Sequence, residues 1–189
     1  LMGSGFTVDA MYTPDAGSGD AQADNGTSGE LSGTSGSAEE IVIKGSVPMV
    51  DGLDVGVGYY SQDTNSTVTT GAYGQEEGTA YIKYSTGPVS LGYQKGVVVD
   101  FTGGAEESQF TNQYYGISYK VSDNLSLSYN EMTSRRSNGA DIEQEFDSLS
   151  LSYTVGGMTI GIADADVSNS SYTSGRAQDE TSVSLSIAF

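Results

Sequence analysis

The chain contains no cysteine and no histidine. That excludes a Ser-His-Asp triad, a Cys-His dyad and zinc sites of the usual nitrogen and sulfur kinds. It also means that disulfides do not hold the fold, a composition compatible with any compartment. Tryptophan is absent too. No run of apolar residues approaches the ~18 that a membrane helix needs. No window sustains apolar residues at i, i+3, i+4 and i+7, so essentially no helix is predicted. The start, Leu1-Met-Gly-Ser-Gly-Phe6, lacks the basic and apolar segments of a leader. Positive charge is scarce: 7 Lys and Arg stand against 25 Asp and Glu, for a net charge of −18. Such a chain repels nucleic acid and has no basic stripe for anionic lipid head groups. Paired-carboxylate chemistry is not excluded by composition, but the acidic residues cluster in loops and no recognisable motif carries it. The chain is therefore read as a non-enzyme.

What is present points to strands. The 189 residues include 26 Gly and 13 Tyr, with abundant Ser, Thr and Asn. This mixture suits strands and turns. Alternation of period two predicts ten strands, over 5–13, 40–47, 53–62, 79–86, 88–99, 112–121, 125–133, 146–155, 158–166 and 179–189. Each approaches the ~9–11 residues of a tilted membrane strand. In the last, Val183, Leu185, Ile187 and Phe189 alternate with Ser182, Ser184, Ser186 and Ala188. An apolar strand ending on an aromatic residue suits closure of a membrane barrel, with Phe189 at the interface.

Connections alternate strictly between short and long. Short ones fall at Pro48–Gly52, Thr86–Pro88, Ser122–Asn124 and Gly156-Gly157; long polar ones fall at 14–39, 63–77, 100–111, 134–145 and 167–178. Tight turns on one rim and long loops on the other are the pattern of an outer-membrane barrel. The predicted fold is all-β: a transmembrane antiparallel up-and-down β-barrel with about ten strands in this chain. Tyr84, Tyr119, Tyr153 and Phe189 lie on the apolar face near the short turns or the chain end, and are read as an aromatic girdle. The alternative is a secreted or surface-attached acidic all-β binding or adhesion module, soluble without detergent.

Residues 157–166, a polar loop and the Ser-rich strand ending in Phe189 resemble the terminus of the general diffusion porins of Gram-negative outer membranes. Tyr119-Lys-Val-Ser-Asp-Asn-Leu-Ser-Leu-Ser-Tyr129 resembles a porin hairpin around a periplasmic turn. The resemblance implies a sixteen-stranded barrel assembled as a homotrimer in the outer membrane. It passes small hydrophilic solutes and ions by passive diffusion and contacts membrane lipid and lipopolysaccharide. Residues 1–189 would then be the C-terminal part of a single barrel domain; a complete ten-stranded barrel is the alternative. Outer-membrane proteases and phospholipases share the architecture but need a histidine.

Pore-lining candidates are Asp9, Asp54, Tyr60, Tyr81, Lys83, Gln94, Tyr114, Lys120 and Asn130. The resemblance implies a basic wall ladder facing an acidic constriction loop. Lys83 and Lys120 are candidates for that ladder, or else face the short-turn mouth. Loop 14–39, with Asp15, Asp20, Asp24 and Glu30, is read either as a surface loop or as the constriction loop. Acidic doublets Glu39-Glu40, Glu76-Glu77, Glu106-Glu107 and Asp179-Glu180 are placed in the long loops. Of these, Glu76, Glu77, Glu106 and Glu107 are weak candidates for Ca²⁺ or Mg²⁺, which prefer oxygen ligands; solvated charge is the other reading. No other cofactor is expected.

Overall fold

The structure, a computed structural model, describes residues 5–16, 36–64, 73–101, 108–137 and 141–187. These form one antiparallel sheet of ten strands, each paired with its neighbours in sequence. The strands are β1 (Phe6–Ala16), β2 (Gly36–Ser46), β3 (Leu53–Thr64), β4 (Tyr73–Thr86) and β5 (Val89–Phe101). They continue as β6 (Ser108–Lys120), β7 (Leu125–Arg136), β8 (Glu143–Val155), β9 (Met158–Ser168) and β10 (Gln178–Ile187). Consecutive antiparallel strands need only tight turns, and the sequence supplies them at one rim. Gly87 has φ 54 and is followed by Pro88, the glycine-first arrangement that suits a two-residue hairpin. Gly156, with φ 59, opens the equally short turn before β9.

Several strands outrun their apolar alternation. β2 begins at Gly36, β4 at Tyr73, β6 at Ser108 and β8 at Glu143, while β7 reaches Arg136. The added residues are mostly polar, so they carry no period-two signal, yet their backbone groups still need partners. The expected loop positions of three acidic doublets are thereby corrected. Glu39-Glu40 lie in β2, Glu76-Glu77 in β4 and Asp179-Glu180 in β10. Glu106 and Glu107, the loop candidates Asp20, Asp24 and Glu30, and Phe189 lie outside the described residues. Asp15 falls within β1, inside the register shift between Thr13 and Ala16. Pro14 sits at that shift and has no N–H to give the ladder.

Cross-strand partners share a face, so the register sorts every side chain. One row runs through Val42, Gly58, Thr79, Gly96, Asn112, Ser134 and Gln144. Its face carries mostly Ser, Thr, Gly, Asn and Gln. The opposite face carries Leu, Ile, Val and Tyr near the short turns. Exposure is the reverse of a water-soluble fold. In β9 the apolar Met158, Ile160 and Ile162 are exposed, while Thr159, Gly161 and Ala163 between them are partly covered. Among the described residues Ala38 is the one buried apolar side chain. No second layer packs on the apolar face, and β1 and β10 each pair on one side only among the described residues.

The turn before β3 gives a test of how tightly the short rim is built. Gly52 has φ 78, and a Cβ there would lie 1.9 Å from the Ser85 carbonyl oxygen. Gly87 shares the left-handed backbone but has nothing within 4 Å of a Cβ. Gly87→Ala should cost about 1 kcal/mol, the left-handed penalty alone. Gly52→Ala should cost roughly 2–4 kcal/mol, because a backbone clash adds to that penalty. Urea unfolding midpoints of the two variants in detergent check the order.

Candidate functional site

The candidate site is the sheet itself, with two chemically different faces. On the apolar face, residues from Val155 to Leu149 in β8, or from Met158 to Ile162 in β9, make a belt about 13–20 Å long along the strands. Tyr84, Tyr119 and Tyr153 stand on this face near the short turns, all exposed. Further from the turns Tyr59, Tyr93, Tyr115 and Tyr129 share it. The Tyr93 and Tyr115 rings are 5.0 Å apart, and both hydroxyls donate to Gln113 Oε1. Tyrosine thus marks both sides of the belt. The sequence reading found only the row beside the turns, because that row alone keeps a constant distance from them.

Beyond the belt the same face turns acidic. Glu131 is in register with Asp147, Asp147 with Asp166, and Asp166 with Asp179. Four carboxylates therefore form one row across β7, β8, β9 and β10. Like charges directly opposite destabilise a sheet. The basic dipeptide Arg135-Arg136 does not form a patch, since neighbours in a strand point to opposite faces. Arg135 reaches Glu143 at 3.1 Å and Asp141 at 3.6 Å; Arg136 lies on the polar face. The same alternation separates Glu76 from Glu77, so this doublet cannot close on one ion.

All nine pore-lining candidates fall on the polar face by register. The structure groups them further. Tyr81 lies over Gly56, where a Cβ would be 2.3 Å from the Tyr81 ring. Tyr81, Gln94 and Tyr114 are register partners. They border a groove of about 440 Å³ with Lys83, Asn130, Met132 and Phe146, floored by Gly92 and Gly116. Gln94 donates to Thr79 Oγ1 at 2.9 Å, and Tyr60 to Gln62 Oε1 at 2.8 Å.

Charge on this face is graded. The lysines sit toward the short turns, each beside an acid. Lys44, not singled out from sequence, pairs with Asp9 at 3.4 Å. Lys83 is in register with Asp54, which accepts a hydrogen bond from Ser46. Lys120 donates to Asp123 at 2.9 Å within the turn that follows β6. Toward the long loops, Glu40, Tyr60 and Glu77 are consecutive register partners. That same row continues through Val98 and Phe110 to Arg136.

Sequence reasoning also missed Phe110, Asn112, Ser134 and Tyr172, which meet at the long-loop end. Ser134 is one of the few buried residues, and its hydroxyl contacts both Asn112 Oδ1 and the Tyr172 hydroxyl. Two signals were available: Phe110 breaks the polar alternation, and Tyr172 is the lone aromatic of its Ser/Thr/Gly-rich loop.

The chain matches no protein-family model and no curated protein sequence.

Two measurements follow from the charge placement. Asp147→Asn removes two like-charge neighbours and should raise stability by up to about 1 kcal/mol, read as a higher urea midpoint in detergent. The Asp123 carboxyl is held below its ordinary value by the Lys120 hydrogen bond, helped by the ammonium charge. A depressed folded-state pKa stabilises above the unfolded value and loses that contribution as pH falls through the folded one. Carboxyl NMR should find Asp123 titrating below the ordinary aspartate value. Lys120→Met should move it back up, and an unchanged midpoint would mean the contact does not persist in solution.

Proposed function

We propose that this chain forms wall of a diffusion pore in the outer membrane of a Gram-negative bacterium, as a C-terminal portion of a porin barrel. The observation that carries the reading is the uncovered apolar face. A single-layer sheet whose Leu, Ile, Val and Tyr side chains are exposed, and whose polar side is the more shielded, is unstable in water without a cover. Lipid supplies that cover, and tyrosines on both sides of the belt suit the two interfaces. The belt is short beside the ~25 Å of a typical barrel, which fits a bilayer at the thin end of the range.

In this reading the polar face lines water. No bond is made or broken, so the chain is not an enzyme. Small hydrophilic solutes and ions pass along Ser, Thr, Asn, Gln and Tyr side chains. The lysines near the short turns are each set beside a carboxylate, whereas toward the other rim the row from Glu40 through Glu77 to Arg136 holds two carboxylates and one guanidinium. The net field at that level favours cations. The flanks of β1 and β10 need strand partners in a membrane, because unpaired edge groups are not tolerated in hydrocarbon. Six further strands of a sixteen-stranded barrel, assembled as a homotrimer against lipid and lipopolysaccharide, meet that need.

The test is conductance of detergent-purified protein, from the whole gene product, in a planar bilayer under a salt gradient. Stepwise openings, grouped in threes, with a reversal potential of cation preference, are expected. Glu40→Gln with Glu77→Gln should shift that potential toward zero. A protein that is monomeric in plain buffer and silent in the bilayer defeats the reading and leaves the surface-binding module.

A further inference from the structure

The connection between β9 and β10 does far more than join two strands. Two residues suffice for such a join at the other rim, where Gly156-Gly157 links β8 to β9. Residues 169–177 instead fold into a strap. Asn169, Ser171 and Tyr172 all take left-handed backbone, with φ of 51, 57 and 54. Non-glycine residues adopt that conformation at a cost, and it persists where surrounding contacts over-determine it.

Those contacts are specific. Asn169 Nδ2 donates to the Glu143 carbonyl at 2.9 Å, and the Ser171 amide donates to Gln144 Oε1 at 2.8 Å. The Ser170 amide donates to the Arg176 carbonyl at 2.8 Å, closing the strap on itself. Tyr172 is the anchor. Its hydroxyl is 2.7 Å from Ser134 Oγ, its ring is 5.9 Å from Phe110, and the Arg136 guanidinium lies 5.2 Å from the ring centre.

The direction of the fold is set by register. Phe110, Ser134, Arg136 and Gln144 belong to β6, β7 and β8, all on the polar face. The strap leaves at β9 yet Tyr172 reaches β6, about 14 Å across the sheet at ~4.8 Å per strand. It therefore lies over the polar wall and does not extend the rim outward.

We infer that residues 169–177 are an inward-folded strap that narrows the pore, with Tyr172 as the positioning residue that seats it on the wall. The inference rests on the pore reading for its consequence, while the seating itself is a property of the chain alone. Bulky solutes meet the strap before they reach the groove beside Tyr81 and Tyr114. The fixed guanidinium of Arg136 stays behind the Tyr172 ring, and Tyr172 presents the surface a solute touches.

Two readouts separate the parts. The first is trypsin cleavage after Arg176 in the folded, detergent-solubilised protein, followed by mass spectrometry. Its backbone is hydrogen-bonded within the strap through the Thr173 and Ser170 contacts. Tyr172→Ala should accelerate that cleavage by roughly 30-fold through loss of the ring and hydroxyl contacts. Tyr172→Phe, which keeps the ring, should accelerate it by about 5-fold, and serves as the measured variant if the alanine protein does not fold. The second readout is exclusion of polyethylene glycols of graded size in the planar bilayer. Tyr172→Ala should raise conductance and admit larger polymers than wild type, with Tyr172→Phe between them. Faster cleavage with unchanged conductance and polymer cut-off would overturn the constriction, making the strap a brace of the rim. Unchanged cleavage in both variants would overturn the anchoring role. A wild-type protein that is protected from trypsin but gives no openings defeats the pore reading, and the constriction with it.

Discussion

The backbone ladder between consecutive strands is the interaction on which everything else in this structure depends. Among the described residues there is next to no hydrophobic core, so burial of apolar side chains against one another does not hold the sheet together. What holds it is the hydrogen bonding of nine antiparallel strand pairs, each carrying its register to the next. A sheet of this kind has a fixed chemistry on each face because side chains alternate strictly. Slipping one strand by a residue would send its serines to the apolar side and its leucines to the polar side. Register is therefore the quantity that the short turns must protect, and Gly52, Gly87 and Gly156 take the left-handed backbone that those turns require.

A ladder without a core also dictates the surroundings. The apolar belt gains nothing from folding in water, since most of it remains exposed. In the proposed pore reading its stabilisation comes from lipid, a cover that also matches the tyrosines on either side. In the same reading the row Glu131, Asp147, Asp166 and Asp179 marks where lipid ends on β7 to β10, because carboxylates in direct register are tolerable in water and costly in hydrocarbon. One strand thus passes through three environments: turn, apolar belt and charged rim. The polar face passes through the same heights with a different sequence of groups, from acid-flanked lysines to Glu40 and Glu77.

The two rims obey different rules. At the short rim the chain reverses in a few residues and does no more. At the long rim residues 169–177 form a hydrogen-bonded element that spends backbone strain to place Tyr172 against Phe110, Ser134 and Arg136. The contrast connects sequence to function. A connection that tolerates three left-handed non-glycine residues is organised around where its tyrosine must go.

The order and type of the strands were legible in the sequence alone. Alternation from Leu53 to Tyr59, or from Leu149 to Tyr153, names both the strand and its two faces, since the backbone of a strand leaves side chains no other choice. The single face shared by Asp9, Asp54, Tyr81, Gln94 and Asn130 followed for the same reason. Strand ends were not legible. Glu39, Glu76 and Glu77 read as loop residues because charged segments have no apolar period, whereas the ladder extends as long as a neighbour offers partners. Nor could the sequence bring Tyr172 to Ser134, 38 residues away, or set Glu131 beside Asp147 and Asp166. Those contacts depend on which strands are adjacent and in what register. Local alternation determined the faces of each strand; the pairing of strands in space decided which residues on those faces meet.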